Sequence, residues 1–176
     1  MTRSGLLRRA RAVRLMVFDV DGVFTDGRLW YGPAGEMMKV FHVFDGHGVK
    51  MLHASGIRTA ILSARNTPAV SARAAELGIA HVRQGIADKA AAFDALLGEL
   101  GLAAGAAAYM GDDVIDLPVL ARCGLACAPA NGHPLVRRRA HYVSRARGGH
   151  GAVREVCELL LRAQGTFDTA QGAATA

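Results

Sequence analysis

The 176-residue chain is 51% hydrophobic and 20% charged, enough apolar material for one globular domain with its own core. Its formal net charge of +6 suits an anionic partner. However, the arginines crowd two stretches (Arg3, Arg8, Arg9, Arg11, Arg14 and Arg137, Arg138, Arg139, Arg145, Arg147) that lack interleaved aromatic rings, which disfavours a nucleic-acid binder. Cys123, Cys127 and Cys157 form an odd set without Cys-x-x-Cys spacing, and no stretch reaches the ~18 apolar residues of a membrane span; neither a disulfide framework, a zinc site nor a membrane protein is expected, and a cytoplasmic setting is.

In chain order, residues 1–14 read as a basic N-terminal segment, 15–164 as a single domain and 165–176 as a small, polar tail with little to bury. Residues 15–20, LMVFDV, form a continuous apolar run that predicts a buried strand ending in a tight loop at Asp21-Gly22. Two strand-like runs, 27–31 and 37–43, flank Gly32-Pro33-Ala34-Gly35 and predict a β-hairpin insert over about 27–43 that projects as a lid. Beyond it the pattern alternates: helix from 46 to about 54, strand 59–62, helix 68–77, strand 81–83. The unit then repeats as helix 89–100, strand 107–110, helix 115–121 and strand 125–127, with a closing helix over 153–163. Strand-helix alternation of this kind predicts an α/β fold, a Rossmann-like parallel sheet flanked by helices.

In open parallel sheets, ligands collect beyond the carboxyl ends of the strands. There the sequence places Asp19 and Asp21 after the first strand, Ser63 after the second, Lys89 ahead of a helix, and Asp112 and Asp113 after the fourth. Any one Asp-Gly or Asp-Asp pair alone is ordinary turn chemistry; the set is what argues for a site. Crowded carboxylates are costly without a hard cation, and magnesium takes oxygen ligands while keeping room for phosphate. Asp19 is then placed as a carboxylate nucleophile, Asp21 as acid and base, and Ser63 and Lys89 as partners of a phosphoryl group. Asp112 completes the metal shell, with Asp113 and Asp116 behind it.

The run DVDGVFTDG (19–27), with Ser63, Lys89 and GDDVIDLPV (111–119), resembles the haloacid dehalogenase superfamily of phosphatases. More narrowly, the hairpin insert, FDGHGVKML (44–52), ILSARNTPAV (61–70) and GGHGAVREV (148–156) resemble its branch that acts on 3-deoxy-D-manno-octulosonate 8-phosphate. The resemblance implies magnesium-dependent hydrolysis through a phosphoaspartate, a step in lipopolysaccharide precursor synthesis. It implies Asp19, Asp112 and the Asp21 carbonyl as metal ligands, and Ser63 and Lys89 on the phosphoryl group. It also puts Asp45 and Gly46, in a loop after the hairpin, with Lys50, Arg65 and Arg73 around a sugar-acid substrate. On their own, the last three read as a solvated helix face. A homotetramer with hairpins completed by neighbouring subunits is implied as well. Two positions depart from the pattern: Ala64, where a glycine commonly follows the hydroxyl, and His47; neither removes a catalytic group. A nine-carbon sugar acid phosphate is the alternative substrate. The rivals outside the enzyme class are a phosphoaspartate receiver, which places its acidic pair and phosphorylated aspartate in the reverse order, and a non-catalytic scaffold.

Overall fold

The computed structural model describes residues 2–33 and 35–173. Six parallel strands form the main sheet: β1 (Leu15–Phe18), β4 (Arg58–Leu62), β5 (His81–Arg83), β6 (Ala107–Met110), β7 (Leu125–Ala128) and β8 (Tyr142–Val143), in the order β5-β4-β1-β6-β7-β8. A separate antiparallel pair, β2 (Trp30–Gly32) and β3 (Gly35–Met38), is the hairpin.

The continuous apolar run of β1 follows from its central place, with both faces covered. Met16 and Phe18 point into a core shared with α2 (Val43–Ala54), α3 (Pro68–Leu77) and α7 (Ala152–Gln164). Leu15 and Val17 point into the opposite core, under α4 (Lys89–Leu100), the short α5 (Leu117–Leu120) and α6 (Pro134–Arg139). All four side chains are fully buried, each worth about 1.5–3 kcal/mol relative to exposure. The register sets Phe18 opposite Ile61 on one side and Met110 on the other. The chain therefore leaves the three central strands at one level, with Asp19, Ser63 and Gly111-Asp112 side by side.

Both termini are more structured than the sequence reading expects. The basic segment folds into α1 (Arg3–Ala12), which buries Ala10; Gln164 of α7 donates to the carbonyls of Ala10 and Val13. The tail forms α8 (Phe167–Ala173), which buries Ala170 and lays Phe167 under the Arg162 guanidinium, 3.6 Å from the ring centroid. Its last three residues, 174–176, lie outside the described residues, as does Ala34 of the hairpin turn. The hairpin strands are shorter than the predicted runs, and α2 begins at Val43 rather than 46, because the His42 side chain accepts the Phe44 N–H and starts the helix early. The predicted helix 115–121 is a 3-10 turn (Val114–Asp116) leading into α5. The sequence reading does not resolve α6 or β8.

Candidate active site

Asp19 follows β1 and is held from three sides. Its N–H donates to the Met110 carbonyl at 2.9 Å, its Oδ1 accepts the Val20 N–H at 2.7 Å, and its Oδ2 pairs with Lys89 Nζ at 2.6 Å. Lys89 is the first residue of α4 and is buried, where the positive end of the helix dipole disfavours a cation. Burial alone would depress it further, yet Asp19 and Asp116 outweigh burial and hold it above its ordinary range. Lys89 is thus a retained ammonium with two carboxylate partners and a third N–H to offer.

Asp116 is fully buried and saturated. Oδ1 accepts from Lys89 and from the Tyr109 hydroxyl, each at 2.7 Å, and Oδ2 accepts the N–H groups of Asp112 and Asp113 at 3.0 and 3.2 Å. Carboxylate oxygens of Asp19, Asp112 and Asp116 lie within 4.8 Å of one another. Because Asp116 has its acceptor positions taken, Asp19 and Asp112 are the pair free to hold a cation. Burial and then Asp116 raise the Asp19 carboxyl to about 7; burial and then Asp19, Asp116 and Asp113 raise Asp112 to about 8. Two carboxylates penalised in this way fit a hard divalent cation, which removes the repulsion. The loop between them is close-fitted: Gly22 has φ +81°, and a Cβ there would run into the Asp112 carboxylate.

A cleft of about 220 Å³ opens above these groups, lined by Asp19, Asp21, Gly27, Ala64, Arg65, Asp112, Asp113 and Ile115. Ser63 sits buried below its wall, and its hydroxyl oxygen accepts the Arg65 N–H at 3.3 Å, leaving its proton to donate. Asp113 caps the following turn by accepting the Val114 N–H at 2.7 Å. Asp21 meets two cations: Lys39 Nζ, from the hairpin, contacts its Oδ1, and Arg65 Nε lies 3.8 Å from its Oδ2.

Four residues that the resemblance puts around substrate do not line the cleft of the single chain. Asp45 and Gly46 lie in the first turn of α2, not in a loop. The Asp45 carboxylate is fully buried and accepts the N–H groups of Gly151 and Arg154 at the start of α7 (3.2 and 2.8 Å), so it caps that helix. Gly46 leaves room for the Arg73 guanidinium, which pairs with Glu76 at 2.8 Å and stacks over Phe41 at 5.9 Å. Lys50 is exposed on α2. Conversely, Lys39, Glu36 and Tyr31 reach the cleft mouth without being singled out by sequence: a glutamate on a short strand and a lysine just beyond it read as ordinary edge charges. Tyr109 was hidden inside an apolar strand run.

A family model for haloacid dehalogenase-like hydrolase matches residues 79–155. The chain is 47% identical to 3-deoxy-D-manno-octulosonate 8-phosphate phosphatase KdsC of Escherichia coli (strain K12) over 96% of this chain and 90% of the relative. It superposes with a TM-score of 0.94, at 39% identity and over 98% and 99% of the two chains, on the crystal structure of 3-deoxy-D-manno-octulosonate 8-phosphate phosphatase from Moraxella catarrhalis in complex with magnesium ion, phosphate ion and KDO molecule. The cobalt-bound phosphatase from Haemophilus influenzae matches with a TM-score of 0.89 at 42% identity, over 94% and 98%.

Proposed function

Because the chain belongs to the haloacid dehalogenase-like hydrolases, alongside the 3-deoxy-D-manno-octulosonate 8-phosphate phosphatases, we propose that it hydrolyses that sugar acid phosphate to the free sugar acid and phosphate. The observation that carries this reading is the buried Asp19 at the end of the central strand, paired with Lys89 at 2.6 Å and facing Asp112 across the cleft floor.

Asp19, Asp112 and the main-chain carbonyl of Asp21 would hold a magnesium ion, which when bound offsets the charge of the phosphoryl group and the carboxylates. Asp19 attacks phosphorus, forming a phosphoaspartate and breaking the bond to the sugar oxygen. Asp21 gives that oxygen its proton, then takes one from the water that attacks the phosphoaspartate. The third N–H of Lys89 and the hydroxyl of Ser63 hold phosphoryl oxygens as charge shifts. Asp113 and Asp116 act through Asp112 and Lys89 rather than on substrate. Arg65 is the cation on the cleft wall suited to a sugar acid's carboxylate. The substrate roles of Asp45, Gly46, Lys50 and Arg73 are proposed on the resemblance alone, since these residues do not line the cleft of the single chain.

The setting follows the same reading. Three buried, unpaired cysteines support a reducing cytoplasm, and among the described residues no helix is long and apolar enough to cross a membrane. Exposed Trp30, Tyr31, Met37, Met38 and Val40 on and beside the hairpin support a tetramer in which neighbours cover it. The reaction would serve lipopolysaccharide precursor synthesis.

The direct test is phosphate release with magnesium from 3-deoxy-D-manno-octulosonate 8-phosphate, a nine-carbon sugar acid phosphate and a hexose phosphate. The octulosonate ester is expected to be preferred, with Asp19→Asn losing at least about a thousandfold in kcat, as removal of a nucleophile does. Turnover surviving Asp19→Asn would refute the mechanism, and preference for another ester would refute the substrate.

A further inference from the structure

The cleft mouth holds a closed set of charges. Glu36 Oε2 accepts from Arg65 Nη2 at 2.6 Å, and its Oε1 lies 2.9 Å from Lys39 Nζ. Arg65 also donates to the Tyr31 hydroxyl at 3.0 Å, and Lys39 contacts Asp21. The Lys39 and Glu36 side chains are 2% and 11% exposed, so that pair is shielded from water, whereas the Arg65 side chain is 36% exposed and open to a ligand. Arg65 is the sole cation among the described residues lining the cleft, and its Nε–H is buried without a hydrogen-bond partner.

Two carboxylates, Asp21 and Glu36, here balance two cations, Lys39 and Arg65. A ligand carboxylate brought to Arg65 while Glu36 stays would set two like charges on one guanidinium, which is unfavourable. Glu36 is carried by β3, in a two-stranded sheet separate from the main one, so it can leave without breaking the sheet that carries Asp19. From this we propose that Glu36 is a specificity-determining residue: in the free enzyme its carboxylate occupies the Arg65 seat that a substrate's own carboxylate takes. The inference rests on the phosphatase reading above and deepens it. A phosphate ester that has no carboxylate gains nothing from Arg65, so selection for acid sugars arises at Arg65 as a difference of affinities, and Glu36 sets how large that difference is by competing for the same guanidinium.

The experiment compares wild type, Glu36→Gln and Arg65→Gln. KM is measured for 3-deoxy-D-manno-octulosonate 8-phosphate and for p-nitrophenyl phosphate on the same preparations, and binding of free 3-deoxy-D-manno-octulosonate is measured by calorimetry with magnesium present. Glu36→Gln keeps the shape but removes the competing charge. It is expected to raise the ratio of the p-nitrophenyl phosphate KM to the sugar acid phosphate KM about tenfold and to tighten binding of the free sugar acid; Arg65→Gln is expected to lower the ratio. An unchanged or lowered ratio in Glu36→Gln overturns the proposal and makes Glu36 a latch for the hairpin or a direct substrate contact. If wild type cleaves only p-nitrophenyl phosphate, the substrate reading has failed, and calorimetry decides: free sugar acid that binds wild type and Glu36→Gln alike, or neither, overturns the role of Glu36 as well.

Discussion

Asp112 has a strongly raised carboxyl, and the cause is local: burial first, then the charges of Asp19, Asp116 and Asp113, against a partial offset from Lys89. In protein stripped of divalent cations by a chelator, its folded value of about 8 stands above its ordinary 3.8. The folded state then binds the proton more tightly than the unfolded chain does, so this contribution to stability is full at low pH and lost as pH rises through the folded value. Calorimetry in chelator should show the melting temperature falling towards pH 8, and added magnesium should raise it most at that alkaline end, because cation and proton compete for the same oxygens. A magnesium effect independent of pH would contradict this account. The same residues show what sequence reveals: Asp19, Asp21 and Asp112 are legible because several strand ends carry carboxylates together, a set that turn chemistry at one loop does not account for. Lys39 and Glu36 are not legible, because their importance arises only when the hairpin folds back over Asp21, a long-range contact that no local pattern encodes.

The loop that carries Asp21 is gripped from behind by another element. The turn before α7 packs against it: Gly149 N–H donates to the Val23 carbonyl at 3.0 Å, and the Asn131 side chain accepts the Gly148 N–H at 2.8 Å. A Cβ on Gly148 would strike the carbonyls of Gly22 and Thr25. Gly148→Ala should therefore cost about 1–3 kcal/mol in urea unfolding, as overpacking does, and lower kcat by more than it changes KM, because the displaced loop carries Asp21, the proton shuttle we propose. A loss of stability with kcat intact would show the grip to be structural only. The GGHG stretch is a turn before α7 whose partner loop lies more than a hundred residues away in the chain, beyond the reach of any local pattern. Elements with clear periodicity, β1, β4, β6 and α4, match their predicted spans closely. Those that depend on tertiary support do not: α8 forms because Phe167 and Ala170 find α7 and the core to pack on, although its composition alone suggests a loose tail.

For the molecule as a whole, most of the exposed large apolar side chains belong to the hairpin and the start of α2. Trp30, Tyr31, Met37, Met38 and Val40, and beyond them Val43 and Phe44 at the start of α2, are each at least half exposed. Large apolar side chains left exposed along one segment of the chain mark it as a candidate interaction surface. Light scattering is expected to give a tetramer of the 18.5 kDa chain, and Met37→Lys with Val40→Lys should shift it to smaller species; a wild-type monomer would remove the argument. The division into two sheets has a further consequence. Chemistry resides on the central strand of the large sheet, whereas selectivity, by our reading, resides on a hairpin that shares no strand pairing with it. A lineage could exchange that hairpin, or retune a handful of its side chains, and inherit an intact hydrolytic engine; new substrates would then be reached by grafting an insert rather than by rebuilding a fold.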